Sequence, residues 1–185
     1  SNPVARLPFE LVGDHLFIQL SIDDSEPLDF IFDTAAGGTV INTETAKRLN
    51  FTSNKTSKTE GASGVTESSV MKNKSVDLGA IQLEKIDLIS VPLSHLERSF
   101  GRAIDGLIGY DLLNAYVTEI NYDNSELILY EPKTYTYKGN GEVVEIKVKN
   151  NLPTVVFPII LRDGNYMNEK FILDTGANLT IGFTS

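Results

Sequence analysis

The chain carries one eleven-residue passage twice. Phe30-Ile31-Phe32-Asp33-Thr34-Ala35-Ala36-Gly37-Gly38-Thr39-Val40 returns as Phe171-Ile172-Leu173-Asp174-Thr175-Gly176-Ala177-Asn178-Leu179-Thr180-Ile181, with six positions identical and three conservative. Each copy follows a strand, a turn and a second strand. Each unit is also read as opening on Leu-Pro, at Leu7-Pro8 and at Leu152-Pro153. A repeated unit of this kind buries its apolar face only against neighbouring structure. The second copy reaches Asp174 with 185 − 174 = 11 residues left. The sequence therefore holds one whole unit and the opening of another.

Strand signals surround both copies. Leu16, Ile18, Leu20 and Ile22 alternate with Phe17, Gln19 and Ser21, which predicts a half-buried strand. Asp23-Asp24-Ser25-Glu26-Pro27 predicts a turn, and Leu28–Phe32 a strand covered on both faces. Asn42 or Thr43 is placed to cap a short helix over residues 43–50. Residues 52–75 are rich in Ser, Thr, Lys and Asn around Gly61-Ala62-Ser63-Gly64, and fit either a β-hairpin with a glycine tip or an unstructured loop. Further strands are expected at 75–83, 85–91, 104–109, 117–122 and 126–130, with Asp123-Asn124-Ser125 as a hairpin turn. Residues 93–102 read as a surface excursion, and 111–116 as one or two helical turns. Past the boundary at Glu131-Pro132-Lys133, Val144, Ile146 and Val148 alternate with charged residues. Apolar strands at 153–161 and 170–173 then flank Asp163-Gly164-Asn165. The class is all-β.

Composition narrows the function. A net charge of −9 argues against nucleic acid, whose binding needs a basic footprint, and against an anionic membrane surface. No apolar run approaches the length needed for membrane insertion. The chain has no cysteine, which removes disulfides, thiolate metal sites and a cysteine nucleophile. No Gly-x-Ser-x-Gly elbow and no Gly-Lys-Ser/Thr loop is present. His15 and His95 lack ligand spacing and read as surface or structural residues. Asp14, Asp23 and Asp24 read as turn residues, so neither a metal nor a cofactor is expected. Asn50, Asn54, Asn73 and Asn178 open Asn-x-Ser/Thr triplets, which carry no meaning without a secretory context.

What remains is the pair of aspartates. A single Asp-Thr-Gly is common by chance, and its Asp can simply cap a turn. Two related copies, each at the end of an apolar strand, point to chemistry, because an ionisable group there is costly unless hydrogen-bonded or used. Two carboxylates held against each other resist ionising together and share a proton. One then takes a proton from water while the other protonates a carbonyl oxygen. The candidate catalytic pair is Asp33 and Asp174. The small residues after the threonines, Ala35 and Gly176, let backbone N–H groups approach the carboxylates.

On these residues the chain resembles the retropepsin-like aspartic peptidases of the pepsin group, most closely bacterial members with two such units in one chain. Asp33-Thr34-Ala35 and Asp174-Thr175-Gly176 match the family's active-site loop. The resemblance implies that Thr34 and Thr175 brace the two loops. It implies that Gly61, Ala62, Ser63 and Gly64 form the tip of a substrate-covering flap. It also implies that Gly106-Leu107-Ile108-Gly109 threads behind the first loop. Ala35 stands where the family has Gly, and the second unit lacks its own flap and rear strand. The expected architecture is a closed retropepsin-like acid-protease barrel over residues 1–132, a linker with the next unit's first strand over 133–151, and the start of a second similar lobe over 152–185.

The implied activity is hydrolysis of peptide bonds in a peptide or protein substrate. The alternative is a catalytically impaired peptide-binding or assembly module on the same scaffold. The half-built second unit leads to the expectation that Asp174 is displaced from Asp33, that the chain alone is weakly active or inactive, and that exposed strand edges allow a homodimer. Kinship with bacterial members implies an exported, periplasmic or cell-envelope location.

Overall fold

A computed structural model describes residues 1–53, 55–61 and 64–178, with side chains outside 54–67. In chain order the elements are β1 (Ala5–Pro8), β2 (Glu10–Val12), β3 (His15–Ile22), β4 (Leu28–Phe32), β5 (Val40–Asn42), α1 (Thr43–Arg48), β6 (Lys55–Gly61), β7 (Gly64–Asp77), β8 (Gln82–Val91), α2 (Ser94–Phe100), β9 (Gly106–Ile108), α3 (Tyr110–Ala115), β10 (Val117–Asn121), β11 (Glu126–Tyr130), β12 (Lys147–Lys149), β13 (Leu152–Ile160) and β14 (Tyr166–Ile172). The protein is mainly β.

Strand β3 closes the main sheet on itself. The sheet runs β2-β3-β4-β9-β5-β8-β7-β6, and β3 also pairs with β7 through Ser21↔Asp77 and Ile22↔Val76. Strands β3, β4, β9, β5, β8 and β7 therefore form a ring, the closed barrel that was expected. Its interior holds Leu16, Ile18, Leu20, Phe30, Phe32, Ile41, Leu88, Ile108 and Leu112, all close to fully buried. Two antiparallel three-stranded sheets stand apart from it in pairing, β1-β11-β10 and β12-β13-β14.

Local choices differ from the sequence reading where tertiary packing intervenes. Strand β3 is covered on both faces over most of its length, not on one. Phe17 lies outside the barrel interior, in a second buried cluster with Ile31, Leu93 and Ile104, so only Gln19 is exposed. The expected surface excursion contains α2. No side chain caps its start, which removes the usual sequence signal, and Gly101 ends it in the left-handed region at φ 65°. Helix α1 starts at Asn42 as expected, the Asn side chain accepting a hydrogen bond from the Glu44 N–H. The strand expected at 75–83 is the end of β7, a turn and the start of β8. Val144 and Ile146 belong to no strand.

Register exposes the internal repeat and corrects its origin. Strand β2 pairs with β3 through Glu10↔Phe17, and β12 with β13 through Lys147↔Thr154. Phe17 then pairs with Ile31, and Thr154 with Ile172. Residues 10–12, 15–22 and 28–32 thus correspond to β12, β13 and β14. The intervening turns agree as well. Gly13 and Asp14 have φ 54° and 67°, and Asn150 and Asn151 have φ 51° and 64°, the positive pair of a tight hairpin turn. Leu152-Pro153 therefore matches His15-Leu16, and Leu7-Pro8 in β1 has no part in the repeat.

Candidate active site

Asp33 leaves the barrel at the end of β4. Its own N–H donates to the Ile108 carbonyl at 2.9 Å, fixing the loop to β9. The N–H of Ala35 donates to its Oδ1 at 2.8 Å, and Ala36 N–H closes a turn onto its carbonyl oxygen at 3.0 Å. Strand β9 lies parallel to β4, with Phe32 opposite Ile108. Beyond it Gly109 passes so close behind the loop that a Cβ would lie 1.9 Å from the Asp33 carbonyl oxygen. Two residues on, Asp111 Oδ2 accepts from Thr39 twice, from the N–H at 2.8 Å and from Oγ1 at 2.6 Å. The rear strand and α3 hold both ends of the first loop.

The second loop repeats the local chemistry on a thinner support. Gly176 N–H donates to Asp174 Oδ1 at 2.8 Å, as Ala35 does to Asp33. The strand leading to it, β14, is mostly exposed, unlike β4. The reason is the partner set: among the described residues β14 pairs with β13 alone, whereas β4 pairs with both β3 and β9.

Four hydrogen bonds join the loops. Thr34 N–H donates to Thr175 Oγ1 at 3.1 Å and Thr175 N–H to Thr34 Oγ1 at 3.1 Å. Thr34 Oγ1 donates to the Leu173 carbonyl at 2.7 Å, and Thr175 Oγ1 to that of Phe32 at 3.0 Å. Each hydroxyl accepts one bond and donates one across the approximate twofold. The expected displacement of Asp174 does not occur: these bonds carry it to Asp33 within its own chain.

The charge of Asp174 acts on Asp33. Burial, followed by the negative charge of Asp174, raises the Asp33 pKa from 3.8 to about 6, against the lowering effect of the Ala35 and Ala36 N–H groups. Asp174 is exposed and Asp33 half-buried, so the pair is not symmetric. Gly176 packs directly on Asp33, where a Cβ would lie 2.5 Å from the carboxyl carbon.

Two contacts beyond the threonines also cross between the units, and the sequence reading missed both. Asn151 Nδ2 donates to the Gly37 carbonyl at 2.8 Å. His15, 6% exposed, places Nε2 at 2.8 Å from the Gly176 carbonyl and Nδ1 at 2.7 Å from that of Gly13. In each case the turn before one unit's long strand touches the other unit's Asp loop. Positive-φ residues in matching turns were the available signal.

Of the remaining candidates, Gly61 and Gly64 face each other at the end of the β6–β7 hairpin, while Ala62 and Ser63 lie outside the described residues. This hairpin replaces the unstructured-loop alternative. Among the described residues no group of His, Cys, Asp or Glu is placed to hold a metal ion, and no helix is long and apolar enough to cross a membrane.

The crystal structure of a retropepsin-like aspartic protease from Rickettsia conorii is similar at 20% sequence identity and a TM-score of 0.48, over 68% of this chain and 86% of that one. No curated protein matches. The model of the aspartyl protease family matches residues 18–112, from β3 through the Asp33 loop and the β6–β7 hairpin to α3. That is 95 of 185 residues, and the chain belongs to the aspartyl protease family.

Proposed function

We propose that the protein is an aspartic endopeptidase in which Asp33 and Asp174 share one proton and activate a water between them. The observation that carries this reading is the reciprocal threonine brace, which sets two carboxyl groups against each other on matched loops. In the one-proton state, the ionised carboxylate takes a proton from the water as it attacks the peptide carbonyl. The protonated carboxyl group donates to the carbonyl oxygen. The tetrahedral species then collapses as the amine leaves with a proton. Ala35 and Gly176 N–H groups hold one oxygen of each carboxylate, leaving the other free for the reaction. An extended peptide would lie across the loops under the β6–β7 hairpin, with Gly61, Ala62, Ser63 and Gly64 as its covering tip.

In this reading residues 1–132 form one lobe, 133–151 a linker with the next unit's first strand, and 152–185 the opening of a second lobe. The edge of β14 that has no partner strand among the described residues, with Tyr166, Met167 and Ile172 exposed, suits pairing with a second copy. We also assign the protein to an exported or envelope location, on kinship alone; cell fractionation tests it.

The second reading, an impaired peptide-binding module, draws on Ala35 and on the unequal exposure of the two carboxyl groups. One experiment separates them. The full chain is incubated with an unfolded protein at acidic pH. The peptidase cleaves it, and both Asp33→Asn and Asp174→Asn abolish cleavage. Binding of peptide without cleavage, unchanged by either substitution, supports the module.

A further inference from the structure

We infer that His15 is a positioning residue for the second active-site loop, clamping it through the Gly176 carbonyl; this rests on the peptidase reading. Both ring nitrogens of His15 face carbonyl oxygens, at 2.7 Å and 2.8 Å. A carbonyl oxygen only accepts, so the clamp is an N–H bond given by Nε2 to the Gly176 carbonyl.

The surroundings fix the ring for this task. Phe100 packs edge-on at 4.7 Å between centroids. Gly13, at φ 54°, turns its carbonyl towards Nδ1. On the far side the Gly176 residue is held twice, its N–H by Asp174 Oδ1 and its carbonyl by His15 Nε2. The threonine brace holds the loop at 173 and 175; His15 holds it one residue further on, at 176. By register the counterpart of His15 is Leu152, and the first loop is instead touched by the Asn151 amide. The loop with the thinner support thus receives its clamp from a buried side chain at the start of the other unit's long strand.

The charged groups around His15 are few. Asp14 shares its turn, and Asp174 and Asp33 lie across the loop contact. On α2, Glu97 is engaged by Asn42 and the Ile104 N–H, while His95 and Arg98 are exposed. Arg102 is occupied by Glu10 and Asp29.

The test compares full-length wild type with His15→Leu and His15→Gln. Hydrogen exchange is followed at the Thr175 and Gly176 amides, together with kcat and KM. Loss of the clamp should raise exchange about tenfold in His15→Leu and lower kcat about tenfold with little change in KM. His15→Gln retains a donor and should recover part of both. Exchange in His15→Leu equal to wild type, or equal losses in His15→Leu and His15→Gln, would overturn the inference. If wild type cuts no peptide while exchange responds as described, the clamp stands and the peptidase reading falls.

Discussion

Thr34 and Thr175 each present a backbone N–H and a hydroxyl to the other's loop, so that each loop is tied to its counterpart. Neither residue reacts. Their bonds span 139 to 143 residues of chain and set the distance between Asp33 and Asp174, on which a shared proton depends.

Thr34→Val removes the hydroxyl while keeping the shape. It leaves the Thr175 N–H and the Leu173 carbonyl without their partners, which costs about 1–3 kcal/mol where water cannot replace them. Thermal unfolding should show a loss in that range, and peptidase activity should fall at least tenfold as the loops separate. Thr175→Val should act alike. The double variant should lose clearly less than the sum of the two, because loops parted by one substitution already weaken the other hydroxyl's bonds. Additive losses would mean that the two hydroxyls act independently.

The raised Asp33 pKa sets a pH dependence with a definite sign. In the proposed mechanism Asp33 carries the proton for the carbonyl oxygen; above its folded value of about 6 it is ionised, so kcat should fall as pH rises through about 6. Stability follows the same direction. Below 3.8 the group is protonated in folded and unfolded chain alike. Between 3.8 and about 6 only the unfolded chain releases the proton, so folding loses stability as pH rises across that window. The full loss is at most about 3 kcal/mol, from roughly 1.4 kcal/mol per unit of pKa. Asp33→Asn should therefore raise the melting temperature at neutral pH, leave it nearly unchanged near pH 3.5, and abolish cleavage at both. Equal stabilisation at both pH values would contradict burial of an ionisable Asp33.

Much of the site is legible in the sequence because its signals are local. The repeated passage locates both Asp loops, Asn42 marks the start of α1, and the Gly61–Gly64 pair marks a hairpin tip. The support around the loops is not local. Nothing in the run Leu16–Ile22 says that Phe17 is covered by Leu93 and Ile104, so alternation misreads a strand buried on both faces. The reach of His15 to Gly176 spans 161 residues and leaves no spacing pattern. The reading of Asp174 as displaced weighed the few residues after it against the support a catalytic loop needs. It gave no weight to the first unit as a source of that support, though Thr34, His15 and Phe32 supply it.

Ala35 and Gly176 occupy equivalent positions with different freedom. A Cβ at 176 would lie 2.5 Å from the Asp33 carboxyl carbon, so the carboxyl group itself, held by the Ala35 N–H, would have to move. Gly176→Ala should push the loops apart and lower activity by two orders of magnitude or more, on the scale of about 10²-fold per ångström of misplacement. Ala35→Gly removes a methyl group from the opposite side, where Asp174 is already exposed, and should leave activity unchanged or raise it. A large loss from Ala35→Gly would show that the methyl group helps to place Asp174.

Gly109 tests the rear support apart from the carboxyl groups. Its position behind the loop lets the Tyr110 N–H reach the Ala36 carbonyl at 2.9 Å while the Asp33 N–H reaches Ile108. A Cβ there would lie 1.9 Å from the Asp33 carbonyl oxygen and 2.8 Å from that of Ala36. Both are backbone atoms, fixed by the hydrogen bonds just named, so relief requires β9 to move away from β4. That movement would break the parallel pairing of Phe32 with Ile108 and open the barrel beside its most buried residues. Gly109→Ala should therefore destabilise the fold by about 3 kcal/mol or more, within the range for backbone strain combined with core disruption. Gly79→Ala is the control. Gly79 has φ 83° but nothing within 4 Å of its would-be Cβ, so its cost should be limited to backbone strain of about 1–2 kcal/mol. Denaturant unfolding of the two variants measures the difference, and equal losses would show that crowding behind Asp33 adds nothing to the conformational cost.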